Sequence, residues 1–231
     1  MARSHDTLAE AAPDLAADRA AALRLTSVSR ETLTRLDGFV ELLLRTQRHT
    51  NLIGPATVPE LWTRHIADSL QLIDLAPQAR IWVDLGSGAG FPGIPVACTL
   101  AGVPGAAVHL VESNAKKAAF LREAARITGA PVTVHVVRID KFVDGFEGAA
   151  DAVTARAVAS LKDLLDECFI LVHHGAVGLF PKGQDVAVEL TEASKYWNMA
   201  YDLVPSRTDP EARIVVVRSL ARRKLAHHAQ A

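Results

Sequence analysis

Apolar positions before residue 80 recur every three or four residues, a spacing that is typical of amphipathic helices. The first run follows Ser29, a favourable N-cap residue, and its apolar members are Leu33, Leu36, Phe39, Val40, Leu43 and Leu44. Thr57 and Glu60 have the spacing of a capping box, which predicts a second helix through Trp62, Ile66, Leu70 and Ile73. Residues 29–78 are therefore expected to form helices that pack on the domain after them.

From residue 81 onward, short apolar runs alternate with helical patterns. The runs that predict strands cover residues 81–83, 108–111, 132–137, 152–155 and 175–181. The helical patterns cover residues 114–128, 161–171 and 189–197. This alternation favours an α/β fold, a parallel sheet with helices on both faces and right-handed crossovers. Two last runs, 200–204 and 213–218, predict an antiparallel pair at the edge, which gives a mostly parallel sheet of seven strands.

The link between the first strand and the next helix, which we expect from about Phe91, is rich in glycine. Glycine lets the backbone turn tightly and approach a ligand, and the start of the helix is expected to offer unpaired N–H groups. The spacing fits two classes of enzyme. Gly86-x-Gly88-x-Gly90 is typical of methyltransferases, and Gly88-x-Gly90-x-x-Gly93 is typical of dinucleotide enzymes. Both predict a cofactor that contains adenosine, bound at Gly86, Gly88 and Gly90.

Two carboxylates follow neighbouring strands of the predicted sheet. Asp84 directly precedes the glycines, and Glu112 ends the second strand. Because ligands of doubly wound sheets bind outside the carboxyl ends of the strands, both side chains should face one crevice. Glu112 is the candidate acceptor for the ribose hydroxyls, and capping of the helix that starts near Asn114 is the alternative. Asp84 either contacts the cofactor or hydrogen-bonds the turning backbone and supports the loop.

The composition limits the class of protein. The 231 residues, 49% of them hydrophobic, suffice for one α/β domain with a modest extension. The net charge of −1 gives no global attraction for nucleic acid, so an RNA partner needs a local basic patch. Cys98 and Cys168 are too few for a disulfide framework, which favours a cytoplasmic protein. No apolar run approaches the ~20 residues of a membrane span, and the start lacks a signal-peptide pattern.

Five ordered segments of the chain carry a family resemblance. They read N-L-I-G (51–54), R-H-I-A-D-S-L (64–70), D-L-G-S-G-A-G-F-P-G-I-P (84–95), R-A-V-A-S-L (156–161) and P-K-G (181–183). Together they closely resemble the family of ribosomal RNA small-subunit methyltransferase G, formerly called glucose-inhibited division protein B. The resemblance spans about residues 29–218. A glycine loop alone is a weak signal, whereas five segments in the right order are specific.

The resemblance implies a class I Rossmann-like methyltransferase with an N-terminal helical extension. Members of the family transfer a methyl group from S-adenosylmethionine to N7 of one guanine in 16S rRNA. The implied partner is therefore 16S rRNA or the small ribosomal subunit, and we expect a monomer. The family pattern places cofactor contacts at Gly86, Phe91, Ile139, Asp140 and Arg156. A carboxylate beside an apolar residue, as in Ile139-Asp140, suits the amino group and the ring of adenine.

The chemistry of the residues agrees with methylation of a ring nitrogen. Guanine N7 carries a lone pair and no proton, so the transfer needs alignment and electrostatics more than a general base. Both cysteines lie in apolar helical runs that disfavour a thiolate nucleophile. Arg156, Lys182 and His65 are therefore candidates for positioning guanine or phosphate. For Lys182 and His65 a structural salt bridge or cap is the alternative, and His65, Asp68 and Ser69 can also form a polar helix edge.

Contact with RNA has to use local positive charge. Candidate RNA-binding residues on the 114–128 helix are Lys116, Lys117, Arg122 and Arg126. A second cluster near the C-terminus contains Arg213, Arg218, Arg222, Arg223 and Lys224, with Arg222 and Arg223 as its strongest candidates. Arg45, Arg48 and His49 form a third cluster. For each cluster, an ordinary solvated surface is the alternative.

Two other functions fit parts of the pattern. A nicotinamide-dependent oxidoreductase would need a proton donor such as Tyr-x-x-x-Lys, but Tyr196 and Tyr201 are followed four residues later by Ala200 and Pro205. A protein that binds S-adenosylmethionine or RNA without catalysis is the other alternative.

The sequence also predicts a division into segments. Residues 1–28 are Ala-rich and are expected to be frayed or disordered, residues 29–78 to form helices, 79–220 the cofactor-binding core and 221–231 a basic tail. The pairs His173-His174 and His227-His228 lack a supporting ligand pattern, so we expect no metal site.

Overall fold

The computed structural model describes residues 15–223. Its helices are α1 (Ala16–Leu25), α2 (Arg30–Gln47), α3 (Asp68–Leu70), α4 (Gly93–Thr99), α5 (Ala115–Thr128), α6 (Ile139–Gly145), α7 (Leu161–His173) and α8 (Val186–Ala193). Its strands are β1 (Ile81–Leu85), β2 (Ala107–Val111), β3 (Val132–His135), β4 (Ala152–Thr154), β5 (Val177–Lys182), β6 (Trp197–Pro205) and β7 (Arg213–Arg222). Shorter helical turns precede and follow α3: the 3₁₀ helix Pro55–Glu60, the π-helix Trp62–Ala67 and the 3₁₀ helix Ile73–Leu75.

The seven strands form one sheet in the order β3-β2-β1-β4-β5-β7-β6. The first five are parallel, while β7 runs antiparallel between β5 and β6. The prediction of a mostly parallel seven-stranded sheet with an antiparallel edge is confirmed. The strand order reverses between β1 and β4, and this is where a doubly wound sheet opens a crevice at the carboxyl ends of its strands. We call the carboxyl ends of β1 to β5 the catalytic edge.

Helices bury both faces of the sheet, and β1 shows how the strands divide between them. Trp82 belongs to a core cluster with residues of α2, α4 and α5, whereas Val83 and Leu85 belong to a second cluster with residues of α6, α7 and α8. Side chains alternate along a strand, so one short apolar run supplies both cores. Among residues 15–223, no helix is long and apolar enough to cross a membrane.

The segment between α2 and β1 differs from its prediction. A capping box at Thr57 and a continuous helix through Ile73 are both wrong. Thr57 lies inside the 3₁₀ helix Pro55–Glu60, where its hydroxyl donates to the Gly54 carbonyl oxygen at 2.8 Å. The chain then changes to a π-helix and to the single turn of α3. Pro59 cannot donate a backbone hydrogen bond, so an ordinary α-helix does not extend across it.

The N-terminal extension is also more ordered than expected over its described part. Residues 16–25 form α1, which packs against the π-helix Trp62–Ala67 and buries Ala22. An ion pair between Arg19 and Asp37 joins α1 to α2. Tertiary contacts thus fix a helix whose sequence has little amphipathic character of its own. Residues 1–14 lie outside the described range.

Several element boundaries differ from the prediction by a few residues. Helix α4 begins at Gly93 instead of Phe91, and β3 ends at His135 instead of Val137. Trp197 begins β6 instead of ending a helix, and α6 was not predicted. The expected basic tail begins inside β7, which extends to Arg222, while residues 224–231 lie outside the described range.

Candidate active site

The glycine loop, residues 86–93, joins β1 to α4 at the catalytic edge. Gly88 has φ +54°, and an added Cβ there would find open space on its outer side, its nearest neighbour being the Gly86 carbonyl oxygen at 3.7 Å. Gly86 has φ +68°, and its Cβ would lie 2.7 Å from Val158 on the loop after β4. The left-handed backbone conformation therefore favours glycine at both positions, and close approach to Val158 also requires it at Gly86.

Asp84 lies beneath the glycine loop and is 1% exposed. Its Oδ2 accepts a hydrogen bond from the Gly93 N–H at 3.1 Å, while its Oδ1 is buried without a partner in the described chain. Burial raises the pKa of the carboxyl to about 7. Of the two roles considered for Asp84, the contacts favour support of the loop.

The start of α4 does not offer the free N–H groups that the sequence predicted. Gly93 donates to Asp84, and Ile94 donates to the Gly90 carbonyl oxygen at 2.8 Å. Pro92 and Pro95 have no N–H to donate. The expectation of free donors at this helix start is therefore wrong, and the loop backbone itself remains the candidate cofactor contact.

Glu112 connects the glycine loop to the end of β2. Its Oε2 accepts from the Gly88 N–H at 2.9 Å, and its Oε1 accepts from the Asn114 N–H at 2.7 Å. Residue 112 is 8% exposed, and each carboxylate oxygen has lone pairs beyond these bonds. The cap of α5 is Asn114, whose side chain accepts from the N–H groups of Lys116 and Lys117, so Glu112 supports the cap residue instead of capping the helix itself. Acceptance of ribose hydroxyls by Glu112 stays a prediction.

Ile139 and Asp140, the candidate adenine contacts, occupy the first turn of α6 beyond the end of β3. The Asp140 side chain is 53% exposed, and its Oδ1 lies 3.2 Å from Nε of Arg138. Both residues therefore follow β3 at the catalytic edge, as Glu112 follows β2. The structure places them on the β2–β3 side of the glycine loop.

Arg156, after β4, is the centre of a polar network that meets the glycine loop at Phe91. Its Nη1 donates to the Arg64 carbonyl oxygen at 3.0 Å and lies 3.4 Å from Asp68 Oδ2, and its Nη2 donates to His65 Nδ1 at 2.7 Å. The guanidinium lies over the Phe91 ring, 5.2 Å from its centroid. Its Nε–H and one Nη2–H have no partner within residues 15–223. Burial lowers the pKa of this guanidinium from its ordinary value.

His65 is held as a neutral imidazole by the same network. Its ring stacks on Phe91 with the centroids 4.9 Å apart, and burial, followed by the charges of Arg156 and Arg64, lowers its pKa to about 3. Because Arg156 donates to Nδ1, the proton must be on Nε2, which lies 2.9 Å from the Thr57 hydroxyl. His65 therefore donates to Thr57, which in turn donates to the Gly54 carbonyl.

Lys182 ends β5 and makes two structural contacts. Its Nζ donates to the Ala159 carbonyl oxygen at 3.0 Å and pairs with Glu189 Oε2 at 2.8 Å. The salt bridge considered as its alternative role is thus present, and one ammonium N–H is left for a ligand. Ser69, the third member of the predicted polar edge, is buried and donates to the His65 carbonyl oxygen.

A cleft of about 690 Å³ opens at the carboxyl ends of β4 and β5. Its lining includes Glu60, His65, Asp68, Arg156, Lys182 and Asp209. Val158 also lines the cleft and contacts the position of Gly86, so the cleft adjoins the glycine loop. Its volume is within the range of small-molecule and cofactor sites. The structure thus brings all three predicted positioning residues to one cavity.

Two residues of this network were missed as site residues. Asp68 accepts from Gln71 at 2.8 Å and from the Thr208 hydroxyl at 2.9 Å, in addition to pairing with Arg156. Its position three residues after His65 was the available signal. Thr208 comes from the loop between β6 and β7, and nothing in the sequence pattern connects it to the site.

Two of the three basic clusters adjoin each other. Lys116 and Lys117 are in the first turn of α5, at the catalytic edge, and Arg122 and Arg126 lie farther along the same helix. Arg126 also forms two hydrogen bonds with Glu123. Helix α2 is antiparallel to α5, since Phe39 packs on Phe120 while Arg35 reaches the Thr128 carbonyl. The third cluster at the end of α2 therefore adjoins the start of α5.

Arg222 and Arg223 lie at the opposite edge of the sheet. In the register of β5 and β7, Arg213 lies opposite Lys182 at the catalytic edge. Arg222 is nine residues farther along β7, about 30 Å away at the rise of a strand. Arg222 lies over the Trp197 ring, 4.7 Å from its centroid, and pairs with Asp166 at 3.1 Å. Arg223 donates to the Ser194 carbonyl oxygen at 2.7 Å. The structure does not bring these two arginines to the cleft, and Lys224 lies outside the described range.

The two cysteines are buried as the apolar patterns predicted. Burial raises the pKa of the Cys98 thiol to about 12 and also raises the pKa of Cys168. A thiolate nucleophile is therefore disfavoured at both positions. No group of three or more His, Cys, Asp or Glu side chains in the described range is arranged to hold a metal ion.

Solved structures share the fold at low sequence identity. The chain superposes on the O-methyltransferase TomG from Streptomyces achromogenes, crystallised in complex with SAM, with a TM-score of 0.57 and 13% identity over 88% of this chain and 96% of that one. It superposes equally on the cofactor-bound protein Rv0187 from MTB, with a TM-score of 0.57 and 16% identity over 90% and 97% of the two chains. These likenesses confirm the class I methyltransferase fold.

Sequence relatives are much closer. A protein from Bradyrhizobium sp. strain BTAi1, named ribosomal RNA small subunit methyltransferase G, is 59% identical over 208 residues, which cover 90% of this chain and 94% of the relative. A protein of the same name from Rhodopseudomonas palustris strain BisB18 is 58% identical over 203 residues, 88% of this chain and 87% of the relative. The family model for rRNA small subunit methyltransferase G (GidB) matches residues 32–212. The chain therefore belongs to the rRNA small subunit methyltransferase G family.

Proposed function

We propose that this protein transfers the methyl group of S-adenosylmethionine to N7 of a guanine in 16S rRNA. The observation that carries the proposal is the polar cleft of His65, Arg156 and Lys182, which adjoins the glycine loop in a chain of this family. The substrate is 16S rRNA, alone or in the small ribosomal subunit.

The residues around the glycine loop suit S-adenosylmethionine. The open side of Gly88 allows a ligand to approach the backbone. Glu112 has lone pairs for the ribose hydroxyls, and Asp140 can accept from the adenine amino group. When bound, S-adenosylmethionine supplies a methyl group on a positively charged sulfur.

The residues of the cleft suit a reaction without proton transfer. Transfer to N7 would use the nitrogen lone pair as the acceptor of the methyl group, so the residues of the cleft need to orient the guanine towards the cofactor. No proton leaves N7, so no base is required. This agrees with His65, which is neutral and already bonded at both ring nitrogens. In this proposal His65 holds Arg156 in place and does not accept a proton.

The cleft also has groups that complement guanine. Arg156 and Lys182 each retain a donor for O6 or for a phosphate oxygen. Carboxylates at Glu60 and Asp209 on the rim match the N–H groups of the guanine base edge. Acidic groups near the ring also favour the positive charge that the methylated purine acquires.

We place the RNA contact on a catalytic-edge basic surface, defined as Arg45, Arg48, Lys116 and Lys117. The C-terminal end of α2 adjoins the start of α5 because the two helices pack antiparallel, and Phe39 of α2 contacts Phe91 of the glycine loop. Arg222 and Arg223 are about 30 Å from the catalytic edge, so they are not assigned to the contact around the target base.

Methyl transfer from labelled S-adenosylmethionine tests the proposal. Small ribosomal subunits from cells that lack the endogenous enzyme serve as substrate, and the modified nucleotide is mapped afterwards. The expected result is one N7-methylated guanine in 16S rRNA. Cofactor binding without transfer to subunits or to free 16S rRNA would contradict the proposal and favour a non-catalytic binding protein.

A further inference from the structure

We infer that α1, acting through Asp18, is a positioning element of the active site. Asp18 Oδ2 accepts from the Trp62 N–H at 2.7 Å. Its Oδ1 accepts from the Thr63 N–H at 3.2 Å and from the Thr63 hydroxyl at 2.5 Å. One carboxylate of the N-terminal extension therefore binds three donors at the start of the π-helix Trp62–Ala67.

The π-helix needs this carboxylate because it has no cap of its own. The residue before it, Leu61, has no side-chain acceptor, and the N–H groups of a first helical turn have no partner within the helix. A capping acceptor normally comes from the adjacent residue. Here it comes from a residue 44 positions earlier in the chain. The position of this turn therefore depends on the packing of α1.

Arg19 connects α1 to two other elements, the π-helix and α2. Its guanidinium lies over the Trp62 ring, 5.1 Å from the centroid, and its Nε and Nη2 donate to the two carboxylate oxygens of Asp37 on α2, each at 2.8 Å. Trp62 is 2% exposed, so the ring cannot move independently of its surroundings. Asp18 and Arg19 together join α2, α1 and the π-helix into one unit.

The residues that follow the cap are those that hold Arg156. The Arg64 carbonyl, the His65 ring and the Asp68 carboxylate all contact its guanidinium. A shift of one residue along a helix moves a side chain by about 1.5 Å, and misplacement of this size is costly in an active site. Helix α1 precedes the region that the family model matches, residues 32–212, so the match itself assigns it no role.

The test compares Asp18→Ala and Asp18→Asn with the control Asp37→Asn in the full-length protein. The control breaks the ion pair between α1 and α2 but leaves the cap on the π-helix. The inference rests on the proposed methyl transfer, so kcat and KM are measured with small ribosomal subunits and the cofactor Kd separately. The ¹⁵N spectrum of the His65 imidazole reports its tautomer without any reaction.

We expect kcat to fall about tenfold in Asp18→Ala and about threefold in Asp18→Asn, because an amide has one acceptor oxygen where the carboxylate has two. The cofactor Kd should rise by a smaller factor than kcat falls, because His65 and Arg156 meet the glycine loop at Phe91, whereas Asp84 and Glu112 hold Gly93 and Gly88 independently of Asp18. The Nε2–H signature of His65 should weaken in the same order. Asp37→Asn keeps the cap on the π-helix and one acceptor oxygen for Arg19, so it should lower kcat and weaken the His65 signature less than Asp18→Asn does.

Equal kcat and equal His65 spectra in Asp18→Asn and Asp37→Asn would overturn the inference, even if Asp18→Ala does not fold. A wild-type protein that transfers no methyl group would instead refute the proposed reaction. In that case the His65 spectrum still decides whether Asp18 positions the π-helix.

Discussion

The two sides of the active site are built in different ways. On the cofactor side, Asp84 and Glu112 accept hydrogen bonds from backbone N–H groups in or beside the glycine loop. The loop is therefore held by short segments at the ends of β1 and β2. On the other side, Arg156 is held by the irregular 55–70 segment, which depends in turn on α1 and on the loop after β6. The first side is mostly local in the chain, and the second is assembled from distant parts.

This difference indicates how each side should respond to change. The loop is fixed by backbone geometry and close packing, so small steric changes there should lower the free energy of unfolding substantially. The Arg156 side is fixed by side-chain hydrogen bonds between separate segments, so loss of one central partner should affect several others at once.

Arg156→Ala should have the largest effect on stability. Arg156 and Asp68 are 19% and 15% exposed, and removal of one partner leaves the other charge with too few hydrogen bonds. We expect the free energy of unfolding to fall by about 3 kcal/mol in urea denaturation, together with loss of methyl transfer. Arg64→Ala is the control, because its side chain is 54% exposed while its backbone carbonyl is kept. Equal losses in the two variants would show that Arg156 is not the centre of this network.

Gly93→Ala tests the tight packing of the cofactor side. An added Cβ would collide with the Leu110 side chain and lie 2.7 Å from Asp84 Oδ2. We expect a loss of about 2 kcal/mol in the free energy of unfolding, because a closely packed site accommodates an extra methyl group poorly. Gly145→Ala is the control in α6, where nothing lies within 4 Å of the new Cβ. A Gly93→Ala protein as stable as the control would contradict the close fit of the loop.

The two sides should also differ in the sign of their pH dependence. Asp84 has a folded-state pKa of about 7, above its ordinary value of 3.8, so the folded state binds more protons between these values. Its contribution to stability is present at low pH and is lost as pH rises through about 7. His65 has a folded-state pKa of about 3, below 6.5, so its contribution is present above 6.5 and is lost as pH falls.

Single substitutions should separate these opposing slopes. Between about pH 4 and 6.5, Asp84→Asn should leave a protein whose unfolding free energy rises with pH, whereas His65→Gln should leave one whose unfolding free energy falls with pH. Each slope is limited to about 1.4 kcal/mol per pH unit for one proton. Urea denaturation across this range measures both. If the unfolding free energies of the two variants changed with pH in parallel, the raised pKa of Asp84 and the lowered pKa of His65 could not both be correct.

The smallest effect is expected at the catalytic-edge basic surface. Lys116→Glu together with Lys117→Glu should weaken rRNA binding and reduce the slope of log K against log salt by about 2, one for each lost phosphate contact. The double variant Lys195→Glu and Arg218→Glu makes the same charge change away from this edge, at side chains 61% and 57% exposed. Equal salt slopes for the two double variants would remove Lys116 and Lys117 from the RNA contact.

The sequence predicted the strands and the position of the glycine loop well because their signals are local. The short apolar runs and the helical patterns predicted the seven strands and the main helices, and the glycine spacing placed the loop at the end of β1. Glu112 and Asp84 were found because each directly follows an apolar run. Only their finer roles, such as the bond from Gly93 to Asp84, needed the structure.

The basic clusters show where local reading was insufficient. All three looked alike as sequence, since each is a short group of lysines and arginines. The register of β7 separates Arg222 from the catalytic edge, and the antiparallel packing of α2 and α5 places two other clusters side by side. The spacing of basic residues along one helix or strand carries no information about the edge of the sheet at which those residues lie.

The sequence by itself determined the class of fold, the cofactor loop and the family, because hydrophobic period, glycine spacing and short motifs are properties of neighbouring residues. Only the tertiary structure decided how Arg156, His65 and Asp68 meet, why the 55–70 segment is not a regular helix, and that Asp18 caps it. These contacts join residues 44 to 92 positions apart, and a buried polar group takes its partner from whatever the packed chain places within reach.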